Sequence, residues 1–247
     1  NETDKTIIEG FTITNCNSGV DGGAVVCLNS TPKFVGCTIT NQNGVGLYTS
    51  FGNPVFKNCI FRNNTDRGAA CIGNVTFHDC LFDSNSTSGP HSGAAMDLQW
   101  CDGTIANCTF VNNIGSFYGG ALAGEACSAT FTNCTITDNV AANLGGGILF
   151  ESHKPPDTYP TFLDSMICNN LPNQISGGWI DGGGNYVKEV CPTYCNDLTG
   201  DFVVNINDLL IVIAEWGEID SPADITLDGI VDVSDLLLLV ECLGPCV

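Results

Sequence analysis

The chain has 247 residues, with 27 acidic against 7 basic side chains and a formal net charge of −20. This negative charge argues against binding to nucleic acid and to anionic membrane surfaces. The sequence has no run of 18 or more apolar residues, so we expect no membrane insertion.

A short frame of residues recurs seven times from residue 6 to about residue 185. In each copy an apolar residue precedes a central position by three residues, and a second apolar residue follows that position by two. The central positions are 11, 37, 59, 80, 108, 134 and 165, and an Asn closes each copy, namely Asn15, Asn41, Asn63, Asn85, Asn112, Asn139 and Asn169. Such periods indicate a solenoid, and the alternation of apolar with polar residues indicates strands. We therefore predict a mainly β chain, with a parallel β-helix of about seven coils over residues 1–188.

The first copy begins directly at Thr6, with no amphipathic helix ahead of it. An uncapped solenoid end exposes unpaired strand backbone, which invites another chain. We accordingly expect either further coils upstream or a partner that covers this end. No basic and then apolar leader precedes the first copy, so we expect a processed or cut form.

Five of the fifteen cysteines occupy the central position of the frame, namely Cys37, Cys59, Cys80, Cys108 and Cys134. Inward side chains of consecutive coils stack about 4.8 Å apart, and an inward Cys behaves as a small apolar residue. We predict that these five form a reduced cysteine ladder in the core. A second set could either pair or stack: Cys27, Cys71, Cys101 and Cys127.

Two motifs within the frame carry a resemblance to a known family. FxxN occurs at residues 61–64, 82–85 and 110–113, and GGA[ILV] occurs at residues 22–25 and 119–122. Together they resemble the polymorphic outer-membrane protein repeat, which belongs to the pectate-lyase-like right-handed parallel β-helices. The resemblance covers roughly residues 6–187 and implies a right-handed coil.

The longest insertions between coils are candidate binding loops, because loops carry whatever binding a β-helix performs. Several of their residues could line a carbohydrate groove, but few charges converge, which favours ordinary loop residues: Trp100, His91, Asp97, Asp102, Tyr118, His153 and Tyr159. Asp66 and Arg67 form the sole adjacent acid–base pair of the repeat region. Since adjacent strand residues face opposite ways, we do not expect this pair to converge on a substrate.

Two stretches of the acidic C-terminal segment, residues 197–208 and 224–235, have the spacing of calcium loops. Oxygen-bearing side chains at positions 1, 3, 5, 9 and 12, with a backbone carbonyl at position 7, suit a hard cation such as Ca²⁺. The first site would use Asp197, Thr199, Asp201, the Val203 carbonyl, Asn205 and Asp208. The second would use Asp224, Thr226, Asp228, the Ile230 carbonyl, Asp232 and Asp235.

Each calcium loop runs into an apolar segment, residues 209–216 and 236–243, so we predict a small all-α domain over residues 189–247 made of two EF-hand-like loop–helix repeats. A duplicated half EF-hand with Asp at position 12 resembles the type I dockerin, over about residues 195–246. The resemblance implies calcium-dependent docking into a cohesin-like domain. Phe202 stands where the turn prefers Gly, so we expect the first site to bind more weakly. An equally weighted alternative is that calcium only holds the domain together.

Four cysteines frame this domain, because Cys191 and Cys195 open it while Cys242 and Cys246 close it. We predict disulfides here rather than in the ladder, with a pairing such as Cys195 with Cys246.

Two functions fit these features. The first is a secreted or cell-surface structural or adhesive protein, a β-helix rod with a calcium-dependent coupling module. Such a rod could also bind a neighbouring copy head to tail and form filaments. The second is a dockerin-anchored polysaccharide lyase or glycoside hydrolase. Basic residues are few in the repeat region and few charges converge in its loops, so we assign no catalytic residue and favour the first function.

Overall fold

The computed structural model describes residues 6–17, 23–89, 93–151, 158–191, 196–199, 203–219, 221–226 and 228–245. The chain divides into two compact units, Asn1–Glu189 and Val190–Val247. The described part of the first unit consists of strands and turns, whereas that of the second contains two short helices. Neither helix is long and apolar enough to span a membrane.

Three parallel sheets form the first unit, and the chain passes from sheet A to sheet B to sheet C in each coil. Sheet A has the strands Ile7–Glu9, Lys33–Val35, Val55–Lys57, Thr76–His78, Thr104–Ala106, Thr130–Thr132, Thr161–Leu163 and Ile180–Asp181. Sheet B has Thr12–Thr14, Thr38–Thr40, Ile60–Arg62, Leu81–Asp83, Thr109–Val111, Thr135–Thr137, Met166–Cys168 and Tyr186–Val187. Sheet C has Gly23–Leu28, Val45–Ser50, Ala69–Ile72, Met96–Gln99, Leu122–Glu125, Ile148–Glu151 and Ile175–Gly177. The solenoid makes about six turns from the first to the last strand of sheet C.

A small fourth sheet lies between sheets B and C in three coils, with the strands Ser86–Thr87, Ile114–Gly115 and Val140–Ala141. The short GGA segment then leads the chain into sheet C. A Cβ on Gly120 would lie 2.0 Å from the Gly146 carbonyl oxygen of the next coil. The backbones approach so closely at this turn that only glycine fits, which explains the motif physically.

The pairing register of sheets A and B confirms the predicted parallel β-helix. In sheet A the apolar residues before the central position stack in register, namely Ile8, Phe34, Phe56, Phe77, Ile105, Phe131 and Phe162. In sheet B those after it do the same, namely Ile13, Ile39, Phe61, Phe82, Phe110, Ile136 and Ile167. The Phe61 and Phe82 rings stack at 4.7 Å between centroids, which is the spacing of neighbouring strands. One continuous apolar core therefore runs through the coils.

The Asn of the frame corresponds to two different positions in the structure. One residue turns the chain out of sheet B in the left-handed region, as at Asn63 and Asn112, with φ of 55° and 58°. The following residue is buried and joins a ladder of amide hydrogen bonds, which contains Asn64, Asn85, Asn113, Asn139 and Asn170. Asn serves both positions because it tolerates the left-handed region and also carries a donor and an acceptor. The predicted frame mixed the two, since its Asn is a ladder residue only at positions 85 and 139.

A partial coil follows the seventh copy of the frame and lies within the predicted residues 1–188. The short strands Ile180–Asp181 and Tyr186–Val187 add to sheets A and B. This partial coil escaped prediction because Asp181 pairs with Phe162 at a position where every other copy has an apolar residue. Trp179 packs against the Phe162 ring instead, with centroids 6.1 Å apart.

The predicted cysteine ladder is confirmed, since all five of its thiols are buried and free. Their Sγ atoms donate to carbonyl oxygens, as Cys80 does to His78 O at 3.3 Å. Cys27, Cys71, Cys101 and Cys127 are also buried and free, so none of them pairs in a disulfide. In the register of sheet C, Thr49 stands between Cys27 and Cys71. Cys168 of the first unit and Cys191 of the second unit each take part in a disulfide. Cys195 and Cys246, whose pairing we predicted, lie outside the described residues.

Burial in the ladder raises the pKa of the Cys134 thiol to about 12. The folded chain therefore keeps this proton when the unfolded chain loses it, so the full stability is present below about pH 9 and falls as the pH rises toward 12. We expect this thiol to lower the free energy of unfolding by about 1.4 kcal/mol per pH unit in that range. Urea unfolding at pH 8, 9 and 10 measures this change. The free energy of unfolding of Cys134→Ala should fall less steeply with pH than that of the unchanged protein. Equal slopes for both proteins would contradict the expectation.

The second unit is built around helices α1, Ile206–Ala214, and α2, Val233–Glu241. Its buried apolar residues are Val204, Val212, Ala223, Val231 and Leu239. The short strands Val203–Val204 and Gly244–Pro245 pair antiparallel, so the prediction of an all-α domain was incomplete. Both helices also begin three residues earlier than predicted, because Asn205 and Asp232 cap their N-termini.

Candidate functional site

The second predicted calcium loop is closed at its start by Asp224. Oδ1 of this residue accepts from Asp228 N at 3.1 Å, and Oδ2 accepts from Gly229 N at 2.9 Å. Gly229 has a φ of 101°, a region that favours glycine, so the turn at position 6 is unstrained. The carboxylate at position 1 of the predicted loop therefore binds the backbone of positions 5 and 6.

Asp235 closes the same loop from its other end. Its buried carboxylate accepts from Thr226 N at 2.8 Å, from Thr226 Oγ1 at 3.0 Å and from Asp232 N at 2.8 Å. Thr226 Oγ1 also lies 3.4 Å from Asp224 Oδ1. One hydroxyl thus connects the carboxylates at positions 1 and 12, which brings three of the six predicted ligands together.

The ionised form of Asp235 is favoured by this arrangement. Burial alone raises the pKa of the Asp235 carboxyl, but hydrogen bonds from Asp232 and Thr226 outweigh burial and hold the pKa below its ordinary value. At neutral pH the group is therefore an anion that only hydrogen-bond donors compensate.

The first predicted loop has the same geometry at Asp208. The buried Asp208 carboxylate accepts from Leu198 N at 2.9 Å, from Thr199 N at 3.0 Å and from Asn205 N at 2.8 Å. Thr199 Oγ1 donates to Asp197 Oδ1 at 2.9 Å. Positions 1, 3, 9 and 12 of this loop are thus connected through hydrogen bonds.

The remaining predicted ligands are placed as follows. Val203 lies in the strand Val203–Val204, and Ile230 lies in the turn before α2. Asp201 and Phe202 lie outside the described residues. Within the described residues, no group of three or more His, Cys, Asp or Glu side chains could hold a metal ion. The predicted sets also use Thr and Asn side chains and a backbone carbonyl, which are oxygen donors that calcium accepts.

A second candidate site is an acidic groove on the outer face of sheet C. Asp97, Gln99, Glu125 and Glu151 line it together with Leu149. Gln99 pairs with Glu125, and Glu125 with Glu151, so the three side chains form a row with a spacing of about 4.8 Å. Two like charges side by side on neighbouring strands disfavour the fold.

The structure corrects one expectation about this face. Asp97 lies in the strand Met96–Gln99 rather than in a loop, and Arg67 Nη1 contacts its Oδ2 at 3.0 Å. Arg67 also contacts the adjacent Asp66, with 3.4 Å between Nε and Oδ1, so these two side chains do not face opposite ways. The alternation of a strand does not apply there, because Arg67 has a φ of 77° and precedes the strand Ala69–Ile72.

Our sequence reasoning missed the acidic groove, although a signal for it exists. Residues 99, 125 and 151 are spaced by the length of their coils, so an alignment of the strands that follow each GGA motif would have placed them in one row. The other proposed groove residues do not converge. Trp100 lines a different groove, Asp102 accepts from Ser128 Oγ, and Tyr118 forms a bridge with Leu144. His91 and His153 lie outside the described residues, and the Tyr159 ring contacts Gly178.

Comparison with known proteins supports the fold of the first unit. No curated protein and no solved structure matches the chain. A family model described as right handed beta helix region matches residues 1–97. Together with the parallel ladders, this match identifies the coils of the first unit as a right-handed parallel β-helix.

Proposed function

We propose that this protein is a secreted or cell-surface structural or adhesive protein. Its β-helix is the rigid rod, and its second unit is a dockerin-like module that couples the rod to another protein when calcium is bound. The β-helix fold by itself suits either a structural protein or an enzyme. The second unit provides the observation that favours coupling.

That observation is a duplicated row of exposed apolar side chains on the two helices. The rows occupy equivalent positions 27 residues apart, and their members are between 45% and 63% exposed: Ile206, Leu210 and Ile213 on α1, and Val233, Leu237 and Val240 on α2. The buried face of each helix is separate, with Val212 and Leu239 in the core. Large apolar residues in rows on a helix surface are typical of a partner-binding face.

Calcium would control the direction of these apolar rows through the N-terminal turns of the two helices. Asn205 and Asp232 are loop position 9 and also the N-caps, whereas Asp208 and Asp235 are loop position 12 and also close the capping boxes. A cation held by these oxygens would fix the first turn of each helix and with it the direction of the apolar row. Binding of calcium and binding of a partner are therefore coupled in this proposal.

The partner we propose is a cohesin-like domain with an apolar centre and a basic rim. From residue 191 onward the chain carries 11 acidic and no basic side chains, so opposite charge around the apolar rows would steer and orient the partner. A neighbouring copy of this chain is the competing partner.

The double variant Leu210→Asp with Leu237→Asp tests the coupling face. We expect the unchanged protein to bind an immobilised type I cohesin domain in calcium and to release it in a chelator, because the apolar rows form the contact. The double variant should lose at least a hundredfold in affinity, since each row contributes a central apolar residue. Both side chains are more than half exposed, so the helical signal should remain.

Glu218→Gln is the matched control, because it removes one exposed charge of the same unit outside both loops and both rows. Calcium-dependent assemblies of the purified protein in sedimentation would assign the face to a neighbouring copy instead. A protein that sediments as a monomer in calcium and does not bind the cohesin domain would contradict the coupling function.

The acidic groove supports a second candidate function, a polysaccharide-cleaving enzyme. Glu125 and Glu151 stand on neighbouring strands, about 4.8 Å apart at the backbone, which suits the separation of about 5 Å between carboxylates of a retaining hydrolase. If the groove is catalytic, polygalacturonate or a neutral glucan should release new reducing ends, and Glu125→Gln should slow this at least a hundredfold. Absence of product from both polymers would exclude this function for these substrates.

A further inference from the structure

One corner of the solenoid carries two exposed aromatic side chains on left-handed backbone. Phe51 and Trp100 directly follow the sheet C strands Val45–Ser50 and Met96–Gln99. Their φ angles are 49° and 48°, and their side chains are 62% and 54% exposed. Neither ring contributes to the core.

The turn itself does not require aromatic residues. Other coils place Asn29, Gly73 and Ala126 at this position, with φ of 46°, 85° and 51°. A bulky side chain in the left-handed region is unfavourable, and such strain is concentrated at functional sites. Two exposed aromatic residues held in this conformation therefore indicate a function that uses their rings.

The rings border one slot with a glycine between them. Phe51 N donates to Ile72 O and Gly73 N donates to Gln99 O, so Phe51, Gly73 and Trp100 follow one another on consecutive coils. Phe51 and Trp100 are thus two coils apart, about 9.6 Å at the backbone. A ring in van der Waals contact with two others needs about 7–8 Å between them, and this backbone spacing allows that separation.

The lining of the slot defines the chemistry of the ligand. Thr31, Asn53 and Asn74 lie beside the rings and glycines, and the lining contains no charged side chain. Asn74 Oδ1 accepts from Asp102 N at 3.0 Å, which fixes the orientation of its amide. The slot therefore offers two apolar faces, a hydroxyl and two amides, which suit a neutral molecule with an apolar ring and hydroxyl groups around its edge.

We propose that the Phe51–Trp100 slot binds one pyranose ring of a neutral, gluco-configured glycan. In a β-glucopyranose the hydroxyl groups are equatorial, so both faces of the ring present C–H groups to aromatic walls while the edge faces Thr31, Asn53 and Asn74. This site is separate from the acidic groove and independent of the calcium module. It would give the rod an attachment point on a glycan surface.

Calorimetric titration of the full chain with a soluble β-linked glucohexaose tests the proposal. We expect saturable binding that is unchanged by a chelator, which separates this result from the proposed calcium-dependent coupling. Trp100→Ala and Phe51→Ala should each weaken binding at least fivefold, because each removes one wall. Gly73→Asn should do the same by filling the slot, and Asn29 shows that Asn accepts this backbone conformation.

The control variant is Phe117→Ala, which removes another exposed ring, 47% exposed, on the chain segment that enters sheet C rather than leaves it. It should bind the glucohexaose as the unchanged protein does. The proposal is overturned if the glucohexaose does not bind, or if the three slot variants bind it normally. Preference for an anionic galacturonate oligomer, or equal binding of a mannose oligomer with its axial hydroxyl, would overturn the proposed ligand class.

Discussion

Replacing Asn113 by alanine is expected to lower the free energy of unfolding of the first unit by about 3–5 kcal/mol. Asn113 Oδ1 accepts from Asn85 N and Nδ2 at 2.9 and 3.0 Å, and Asn113 Nδ2 donates to Phe82 O and Asn139 Oδ1. All these groups are in the buried interior, where each unsatisfied donor or acceptor is unfavourable by about 1–3 kcal/mol. The loss would interrupt the ladder at its centre, so neighbouring coils should be affected as well.

Urea unfolding in constant calcium, followed by the far-ultraviolet signal of the sheets, measures this change. Asn143→Ala is the matched control, because Asn143 is exposed and its hydrogen bond from N to Phe117 O uses only the backbone. The control should stay within about 0.5 kcal/mol of the unchanged protein. A loss below 1 kcal/mol in Asn113→Ala would show that the ladder contributes little to stability.

The ladder also shows which parts of this fold are readable in the sequence. FxxN identified Asn64, Asn85 and Asn113 because the distance from the buried Phe of sheet B to the ladder residue is constant. The seven-copy frame allowed its closing Asn to be either the turn residue or the ladder residue that follows it. In the other copies it therefore did not identify the ladder residue. The partial coil at Asp181 was missed for the opposite reason, since its strands are defined by backbone pairing with the previous coil and not by an apolar residue.

The two candidate sites also differ in how far the sequence alone reveals them. Each predicted calcium loop is a contiguous stretch of twelve residues, so its oxygen donors were visible as a local spacing. The acidic groove takes Asp97, Glu125 and Glu151 from three different coils, and Arg67 of a fourth coil contacts Asp97. Only the pairing register brings them together, and Arg67 reaches Asp97 from a turn that an alternating strand pattern does not describe.

Removing calcium is expected to unfold the second unit and to leave the first unit folded. At a calcium concentration one hundred times the dissociation constant, each site would stabilise the folded state by about 2.7 kcal/mol, or roughly 5 kcal/mol for two sites. Within the described residues, the core of this unit contains five fully buried apolar side chains. With 11 acidic and no basic side chains from residue 191 onward, the ligand carboxylates repel one another unless a cation lies between them.

Calcium titration of the full chain by calorimetry, with the helical signal and the half-exposed Trp216 as probes, measures both parts of this expectation. We expect two ions per chain and loss of the helical signal in a chelator, while the sheet signal remains. Asp228→Ala should weaken one site at least tenfold, and more than Asp201→Ala weakens the other, because Phe202 already occupies the position that prefers glycine in the first loop. Glu218→Gln should change neither the stoichiometry nor the affinity. A chain that takes up no calcium, or whose helices persist unchanged in the chelator, would show that the hydrogen bonds of Asp208 and Asp235 hold the loops without a metal ion.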